Sequence, residues 1–120
     1  MANQLIDNVI TGTLGELLVQ LRLLGFGIQA APPLKDSGND LIGIKGEVVK
    51  FIQVKTSEGR SPRNVDPKRI YHIMALVELK RDGGNKLLLD QSRIFVYKKG
   101  ETNKRELTQE IVDELWGSNE

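Results

Sequence analysis

The chain has 120 residues, of which 39% are hydrophobic and 28% charged, a balance typical of a folded domain rather than a disordered segment. It contains no cysteine, which excludes a disulfide framework, a thiolate zinc site and a cysteine nucleophile. The net charge of +1 provides no global basic field, so any contact with DNA has to come from local patches. No apolar stretch reaches the ~20 residues that span a bilayer, and no signal-peptide pattern is present. We therefore expect one cytoplasmic domain over residues 1–120 that makes no contact with membranes.

The first predicted element is a helix over Leu5–Phe26. Apolar residues recur at helical spacing and predict its buried face: Ile6, Ile10, Leu14, Leu17, Leu21 and Leu24. Gly12 and Gly15 weaken the first part of the helix, so we expect a break near residues 11–13. Gly25 and Gly27 are typical of a helix end.

Three strands are predicted to follow this helix. Residues 27–31 form a short apolar strand that Pro32-Pro33 stops. Residues 40–44 and 48–56 are β-rich runs around Lys45-Gly46-Glu47, a pattern typical of a β-hairpin. The second run is apolar on both faces, so we expect it in the centre of a sheet.

The second half of the chain predicts an apolar element, a strand and a helix. Residues 70–79 are almost uniformly apolar and follow Asp66-Pro67, which favours a helix, with a strand as the alternative. Arg93–Lys98 predicts a strand. Asn103, with Glu106 as its capping partner, predicts the start of the last helix. The buried residues of that helix are expected to be Leu107, Ile111, Val112 and Leu115. This order predicts an α/β (α+β) fold in which helices flank a mixed central β-sheet.

Three polar residues of the hairpin are predicted to meet on one face of the sheet. Gln53 and Lys55 are two residues apart on a strand, so their side chains leave the same face. A two-residue Gly46-Glu47 loop, or a four-residue loop over 45–48, places Asp40 directly opposite Gln53, with Cβ atoms about 5 Å apart. A Lys45-Gly46 loop places the two residues diagonally on the same face, whereas a three-residue loop turns Asp40 away.

A carboxylate, an amide oxygen and an ammonium group together suit phosphodiester hydrolysis. Asp40 offers the hard oxygen that Mg²⁺ prefers, and Lys55 can position the attacking water or stabilise the phosphorus centre. Gln53 contributes only a neutral carbonyl, so we expect Glu16 of the first helix to supply a second carboxylate. The structural alternatives are a capping box for Glu16 with Thr13, an Asx turn for Asp40, and polar positions on a half-exposed strand for Gln53 and Lys55.

Residues 55–69 are rich in cations and are the candidate DNA-contacting stretch, with a solvated charged loop as the alternative. The expected phosphate-contacting residues are Ser37, Arg60, Arg63, Lys68 and Arg69.

These residues resemble the PD-(D/E)XK nuclease superfamily. Asp40 matches its first acid, Gln53-Val54-Lys55 matches its acid-X-Lys triplet with Gln in place of the acid, and residues 12–16 resemble its first-helix motif. The order of motifs is similar to that of archaeal Holliday junction resolvases, as seen in Gly25-Phe26, Ser37-Gly38-Asn39-Asp40 and Gln53-Val54-Lys55-Thr56. The resemblance implies a restriction-endonuclease-like fold in which Mg²⁺ or Mn²⁺ binds Glu16, Asp40 and Gln53, and in which Lys55 is the catalytic lysine.

The leading hypothesis is a Mg²⁺-dependent endonuclease acting on DNA, including branched or otherwise structured DNA, without a nucleotide cofactor. We expect a homodimer, because cutting two strands requires two sites. One alternative is a catalytically inactive nuclease-fold domain that binds DNA or a partner protein. Another is a structural subunit that packs through residues 70–79 or the last helix. The sequence leaves the choice between DNA and RNA open.

Overall fold

The computed structural model describes residues 4–35, 38–57 and 69–117, with side chains from residue 10 onward. Within these residues the helices and strands are α1 Gln4–Gly25, β1 Gln29–Ala31, β2 Leu41–Lys45, β3 Val48–Ser57, β4 Ile73–Glu78, β5 Arg93–Lys98, β6 Arg105–Glu106 and α2 Gln109–Trp116. A short 3₁₀ turn, Leu89–Gln91, precedes β5. Neither of the described helices combines the length and apolarity needed to cross a bilayer.

The strands form one mixed sheet in the order β1-β2-β3-β4-β5-β6. β3 and β4 are parallel, and every other neighbouring pair is antiparallel. The predicted mixed sheet with accompanying helices is therefore confirmed. β3 lies between β2 and β4, in the centre of the sheet, as its apolar pattern indicated.

The hydrophobic core lies between one face of the sheet and the two described helices. Because side chains alternate along a strand and paired residues share a face, the register places these core residues on one face: Leu41, Ile52, Val54, Ile73, Ala75, Val77, Ile94 and Val96. Leu18, Val19 and Leu23 of α1 and Val112, Leu115 and Trp116 of α2 pack against them. The opposite face, called here the second face, carries Gln53, Lys55 and Met74.

The predicted buried face of α1 was wrong at four of its six residues, whereas Leu14 packs against the core and the side chain of Ile6 lies outside the described ones. Ile10, Leu17, Leu21 and Leu24 expose 48%, 54%, 61% and 63% of their surface, whereas the buried residues are Leu18, Val19 and Leu23. The predicted break near residues 11–13 was also wrong, because α1 continues from Gln4 to Gly25. Gly15 explains the choice of face: it lies directly against Thr56 of β3, and only a residue without Cβ permits that approach.

The apolar run at residues 70–79 forms a strand, so the predicted helix was wrong. β4 pairs with β3 in parallel and with β5 antiparallel. Met74, Ala75 and Val77 are each at most 1% exposed. A strand between two others and buried on both faces needs apolar residues at successive positions, which removes the alternation that marks a half-exposed strand. Asp66-Pro67, the predicted helix start, lies outside the described residues.

The last helix starts six residues later than Asn103, at Gln109. Its N-cap is Thr108, whose Oγ1 accepts a hydrogen bond from the Ile111 N–H at 3.3 Å. Glu106 is no capping residue, because it belongs to β6 and forms an ion pair with Arg93 at 2.8 Å. Of the predicted buried residues, Val112, Leu115 and the preceding Leu107 are buried, and Ile111 is half-buried.

The contact between Gly15 and Thr56 leads to the first prediction. A Cβ at Gly15 would lie 1.8 Å from Thr56 Oγ1, whereas a Cβ at Gly12 would meet nothing within 4 Å. We expect Gly15→Ala to lower the free energy of unfolding by about 1–3 kcal/mol through overpacking. Gly12→Ala is the matched control and should raise it by about 0.5–1 kcal/mol, because alanine favours a helix.

Urea unfolding followed by circular dichroism measures both changes. Adding Thr56→Ala to Gly15→Ala should recover part of the loss, since it removes the Oγ1 atom at 1.8 Å and the Cγ2 atom at 3.0 Å. Equal stabilities for the two alanine variants would contradict the close packing of α1 on β3.

Candidate active site

The β2–β3 hairpin has the two-residue Gly46-Glu47 loop that places Asp40 opposite Gln53. Lys45 pairs with Val48 and Leu41 pairs with Ile52, so the next position outward pairs residue 40 with residue 53. The backbone agrees with this extension, because the Asp40 N–H donates to the Ile52 carbonyl oxygen at 3.0 Å. Among the loops considered from the sequence, the three-residue loop that would separate the two residues is thereby excluded.

The Asp40 carboxylate connects the start of β2 to the middle of β3. Its Oδ2 atom accepts hydrogen bonds from Gln53 Nε2 at 2.8 Å and from the Val54 N–H at 2.9 Å. Both donors lie on the neighbouring strand, so the side chain does not form the local Asx turn considered as an alternative. Hydrogen bonds to a charged acceptor are the stronger kind, and these two fix the orientation of the carboxylate.

Gln53 is buried and leaves one polar atom without a partner. The residue is 3% exposed, so it is not a half-exposed polar position. The Asp40 carboxylate determines which way the amide points, because Nε2 attracts it and a carbonyl oxygen would repel it. Oε1 then has no hydrogen-bond partner. An unpaired buried acceptor costs about 1–3 kcal/mol, a cost that a bound cation would remove.

Two further residues of β3 share this face with Gln53. Lys55 is half-buried and lies two positions beyond Gln53. Ser57, two positions further, is 8% exposed, and its Oγ atom also lacks a hydrogen-bond partner. Ser57 was not among the residues predicted from the sequence, although it continues the two-residue period of Gln53 and Lys55 by one step.

Glu16 lies in the middle of α1 and belongs electrostatically to the same site. Because the helix is continuous through Thr13, the proposed capping box at Thr13 does not exist. Burial, and to a smaller extent the negative charge of Asp40, raise the pKa of the Glu16 carboxyl above its ordinary value. The neighbouring Gly15 contact with Thr56 holds this turn of α1 against β3.

The oxygen atoms of this site suit a hard divalent cation. The described residues contain no group of three His, Cys, Asp or Glu side chains that would hold a metal. Two carboxylates, Glu16 and Asp40, and the unpaired amide oxygen of Gln53 are present instead. Mg²⁺ accepts few protein ligands because it retains several of its water molecules. The donor set therefore fits Mg²⁺ or Mn²⁺ better than a softer metal.

Most of the predicted DNA-contacting residues lie outside the described part of the chain: Ser37, Arg60, Arg63 and Lys68. Arg69 is described and exposed, and its carbonyl oxygen accepts a hydrogen bond from Lys99 Nζ. The backbone at Arg69 and Ile70 packs against Gly38, where a Cβ would lie 2.9 Å from the Ile70 nitrogen. Arg69 is thus adjacent to the loop that leads into Asp40.

A second group of cations, absent from the residues predicted from the sequence, lies around Phe95 of β5. Arg93 lies 5.2 Å and Lys104 4.9 Å from the centre of the Phe95 ring. Phe95 pairs with Leu76, which in turn pairs with Lys55, so the ring lies on the second face of the sheet, on the side that carries Lys55. Phe95 and Lys55 share this face because β4 is a strand that pairs with both β3 and β5.

The sequence matches no protein-family model and no curated protein. Among solved structures, the chain is similar to a bacterial homing endonuclease, I-Ssp6803I, with a TM-score of 0.51 and 17% sequence identity. The similarity covers 81% of this chain and 72% of that chain. At this identity the likeness concerns the fold alone, and the chain therefore has a nuclease-like fold.

The raised pKa of Glu16 predicts a specific effect of pH on stability. The folded state binds this proton more tightly than the unfolded state, so stability falls as pH rises from the unfolded to the folded pKa. At neutral pH the ionised carboxylate is destabilising in metal-free protein. We expect Glu16→Gln to raise Tm at pH 7 in EDTA, and the gain to disappear as pH falls below the unfolded pKa.

Thermal unfolding at a series of pH values measures this gain. Glu110→Gln makes the same chemical change at an exposed position in the first turn of α2 and should give no gain. A Glu16→Gln gain that is constant across the pH range would show that the effect does not come from ionisation.

Proposed function

We propose that this protein is a Mg²⁺- or Mn²⁺-dependent endonuclease that hydrolyses phosphodiester bonds in DNA. The observation that carries the proposal is the unpaired Oε1 atom of buried Gln53, held beside the Asp40 carboxylate by the hydrogen bond from Nε2. A nuclease-like fold would not by itself require a polar atom in this state. A cation ligand gives that atom a partner.

The proposed metal ligands are Asp40, Gln53 and Glu16. Bound there, the cation would lower the pKa of a coordinated water and neutralise charge on the scissile phosphate. Asp40 is prepared for this role because Val54 N–H and Gln53 Nε2 fix its carboxylate before any ion arrives. Burial and the charge of Asp40 raise the pKa of the Glu16 carboxyl, and a neighbouring cation would oppose both by favouring the ionised form.

Lys55 is the proposed catalytic residue. It leaves the same face of β3 as Gln53, one two-residue step away, so its ammonium group can reach a phosphate bound at the Asp40 site. A positive charge there orients the attacking water or stabilises the negative charge that develops on the phosphate oxygens. Arg69 and Lys99, next to the loop before Asp40, are proposed to contact the flanking phosphates.

The proposed substrate is DNA that is branched or otherwise structured, and the proposed active form is a homodimer with one site per copy. The second candidate function is a nuclease-fold domain that binds DNA or a partner protein without cutting. The neutral Gln53 in place of an acid and the net charge of +1 favour that alternative. Metal binding and cleavage separate the two.

The cleavage prediction uses duplex, nicked and four-way DNA, each incubated with and without Mg²⁺ or Mn²⁺. We expect metal-dependent cleavage that falls by about 10²–10³-fold in Lys55→Ala, in line with the loss of one group that stabilises the transition state. Asp40→Asn, which retains an acceptor oxygen for the Val54 N–H, should fall at least as far. Gel electrophoresis of end-labelled DNA measures the rates.

Lys86→Ala is the control, since Lys86 is an exposed lysine in the β4–β5 connection. It should cut at the wild-type rate. Full activity of Lys55→Ala would remove the mechanism. Binding of DNA without cleavage by the wild-type protein in every metal would favour the non-cutting alternative, and equal cleavage of an RNA substrate would change the substrate class.

The substitution Gln53→Glu, which introduces an acid at residue 53, tests the metal site without an activity assay. In EDTA, Gln53→Glu should lower Tm, because a carboxylate replaces the amide that donates to Asp40. Mg²⁺ should then raise Tm more in Gln53→Glu than in the wild type, because a charged ligand lowers the dissociation constant. The control, Gln91→Glu, changes an exposed residue of the 3₁₀ turn. Identical Mg²⁺-dependent shifts in Gln53→Glu and the wild type would place the metal elsewhere.

A further inference from the structure

The exposed side of α1 carries a regular apolar row, of which only Leu14 packs against the core. It consists of Ile10, Leu14, Leu17, Leu21 and Leu24, called here the α1 stripe. The steps between these residues are 4, 3, 4 and 3, the spacing of a coiled-coil contact row. All but the half-buried Leu14 expose between 48% and 63% of their surface.

The α1 stripe lies opposite the sheet. At 100° per residue, Ile10 and Val19 point in opposite directions, and Val19 is 1% exposed in the core. The charged residues of α1 beyond residue 10 are Glu16 and Arg22, and neither belongs to the stripe. Arg22 instead donates to the carbonyl oxygens of Leu89 and Ser92, both at 3.0 Å. The stripe is therefore an uncharged surface on a chain in which 28% of residues are charged.

We propose that the α1 stripe binds the α1 stripe of a second copy of this chain, forming a two-fold symmetric homodimer. A row with alternating steps of three and four residues packs best against another row of the same kind, side chain into gap. In the described part of the chain the other helix is α2, and its Val112, Leu115 and Trp116 are already buried in the core. A second copy supplies an identical α1 stripe, which also contains no charged side chain.

The size of the stripe sets the expected strength of the dimer. Residues 10 to 24 of a helix extend over about 21 Å, with a contact width of about 10 Å. Two such rows cover a footprint of about 200 Å² on each copy, below the ~800 Å² per partner of a standard interface, which places the contact in the weak, transient class. We therefore expect a reversible dimer with a dissociation constant on the order of micromolar, visible in its dependence on concentration.

This surface is separate from the candidate active site. The ligand atoms of Asp40 and Gln53 lie at the sheet, whereas the stripe lies on the far side of α1. The proposal gives the homodimer of the proposed function a defined contact surface, yet its test measures assembly and requires neither DNA nor a metal. A failed cleavage assay would leave the dimer proposal standing. A monomeric protein would remove the homodimer from the proposed function but leave the proposed metal site and its chemistry standing.

The first test is sedimentation velocity over a range of protein concentrations. The wild-type chain of 13.4 kDa should pass from monomer to dimer as concentration rises. The double variant Leu17→Glu/Leu21→Glu should remain monomeric, a loss of about 100-fold or more in dimer affinity, since it places like charges opposite each other. Circular dichroism should be unchanged, because both residues are exposed and glutamate is a good helix former.

Val49→Glu is the matched control for this experiment. Val49 lies in β3 and is 45% exposed, close to the 54% of Leu17, so this single substitution matches the change at one of the two stripe positions. The control should dimerise like the wild type. A wild-type protein that stays monomeric at all concentrations would overturn the proposal, and so would a dimer that Val49→Glu disrupts and the double variant does not.

The second test exploits the absence of cysteine from the chain. Leu17 is the central residue of the stripe, so two-fold pairing brings it close to its own copy whether the helices run parallel or antiparallel. We expect Leu17→Cys to form a disulfide-linked dimer under mild oxidation, while Val49→Cys stays monomeric. Leu24→Cys distinguishes the orientations, because it lies next to its own copy only in the parallel arrangement. Failure of Leu17→Cys to cross-link in a protein that sediments as a dimer would place the interface elsewhere.

Discussion

The hydrogen bonds of the Asp40 carboxylate are the interaction on which the candidate site depends. The Val54 N–H and the Gln53 amide both donate to one oxygen, which holds the start of β2 against the middle of β3. The same contact fixes the carboxylate and forces Gln53 Oε1 to face away without a partner. Stability and chemistry are therefore coupled at Asp40. Removing its side chain would deprive the Val54 N–H of its acceptor and would release Gln53, whose Oε1 is a proposed metal ligand.

The short loop at Gly46-Glu47 is what makes this contact possible. A shift of one residue in the β2–β3 register would turn Asp40 to the other face of the sheet, since successive strand residues alternate. Gly46 adopts a positive φ of 60°, a conformation that glycine reaches without strain and that a two-residue hairpin loop requires. The geometry of a candidate active site at residues 40 and 53 is thus determined by a turn about six residues away on each strand.

Helix α1 is apolar on two sides, and the two sides have different consequences. Leu18, Val19 and Leu23 enter the core, and Gly15 lets the helix backbone approach Thr56 closely. Glu16, the next residue, is near enough to Asp40 for that charge to contribute to its raised pKa. The other side exposes the α1 stripe. Periodicity favoured the side that is exposed, because a row of leucines carries no information about which neighbour covers it. The missing Cβ of Gly15 resolves the choice through sterics rather than hydrophobicity.

The sequence by itself determined the features that depend on neighbouring residues: the hairpin, the strand at residues 93–98, and the end of α1 at glycine. It also limited the hairpin to a few loop lengths, all but one of which bring Asp40 and Gln53 to the same face, and the structure selected the two-residue loop. These follow from turn chemistry and from alternation along a strand, which act over a few positions. Only the tertiary structure decided that residues 73–78 form a strand, that Arg105 and Glu106 join the sheet, and which side of α1 is buried. Each of these depends on a partner far away in the chain, since β4 is stabilised as a strand by parallel pairing with β3, and no local pattern encodes that partner.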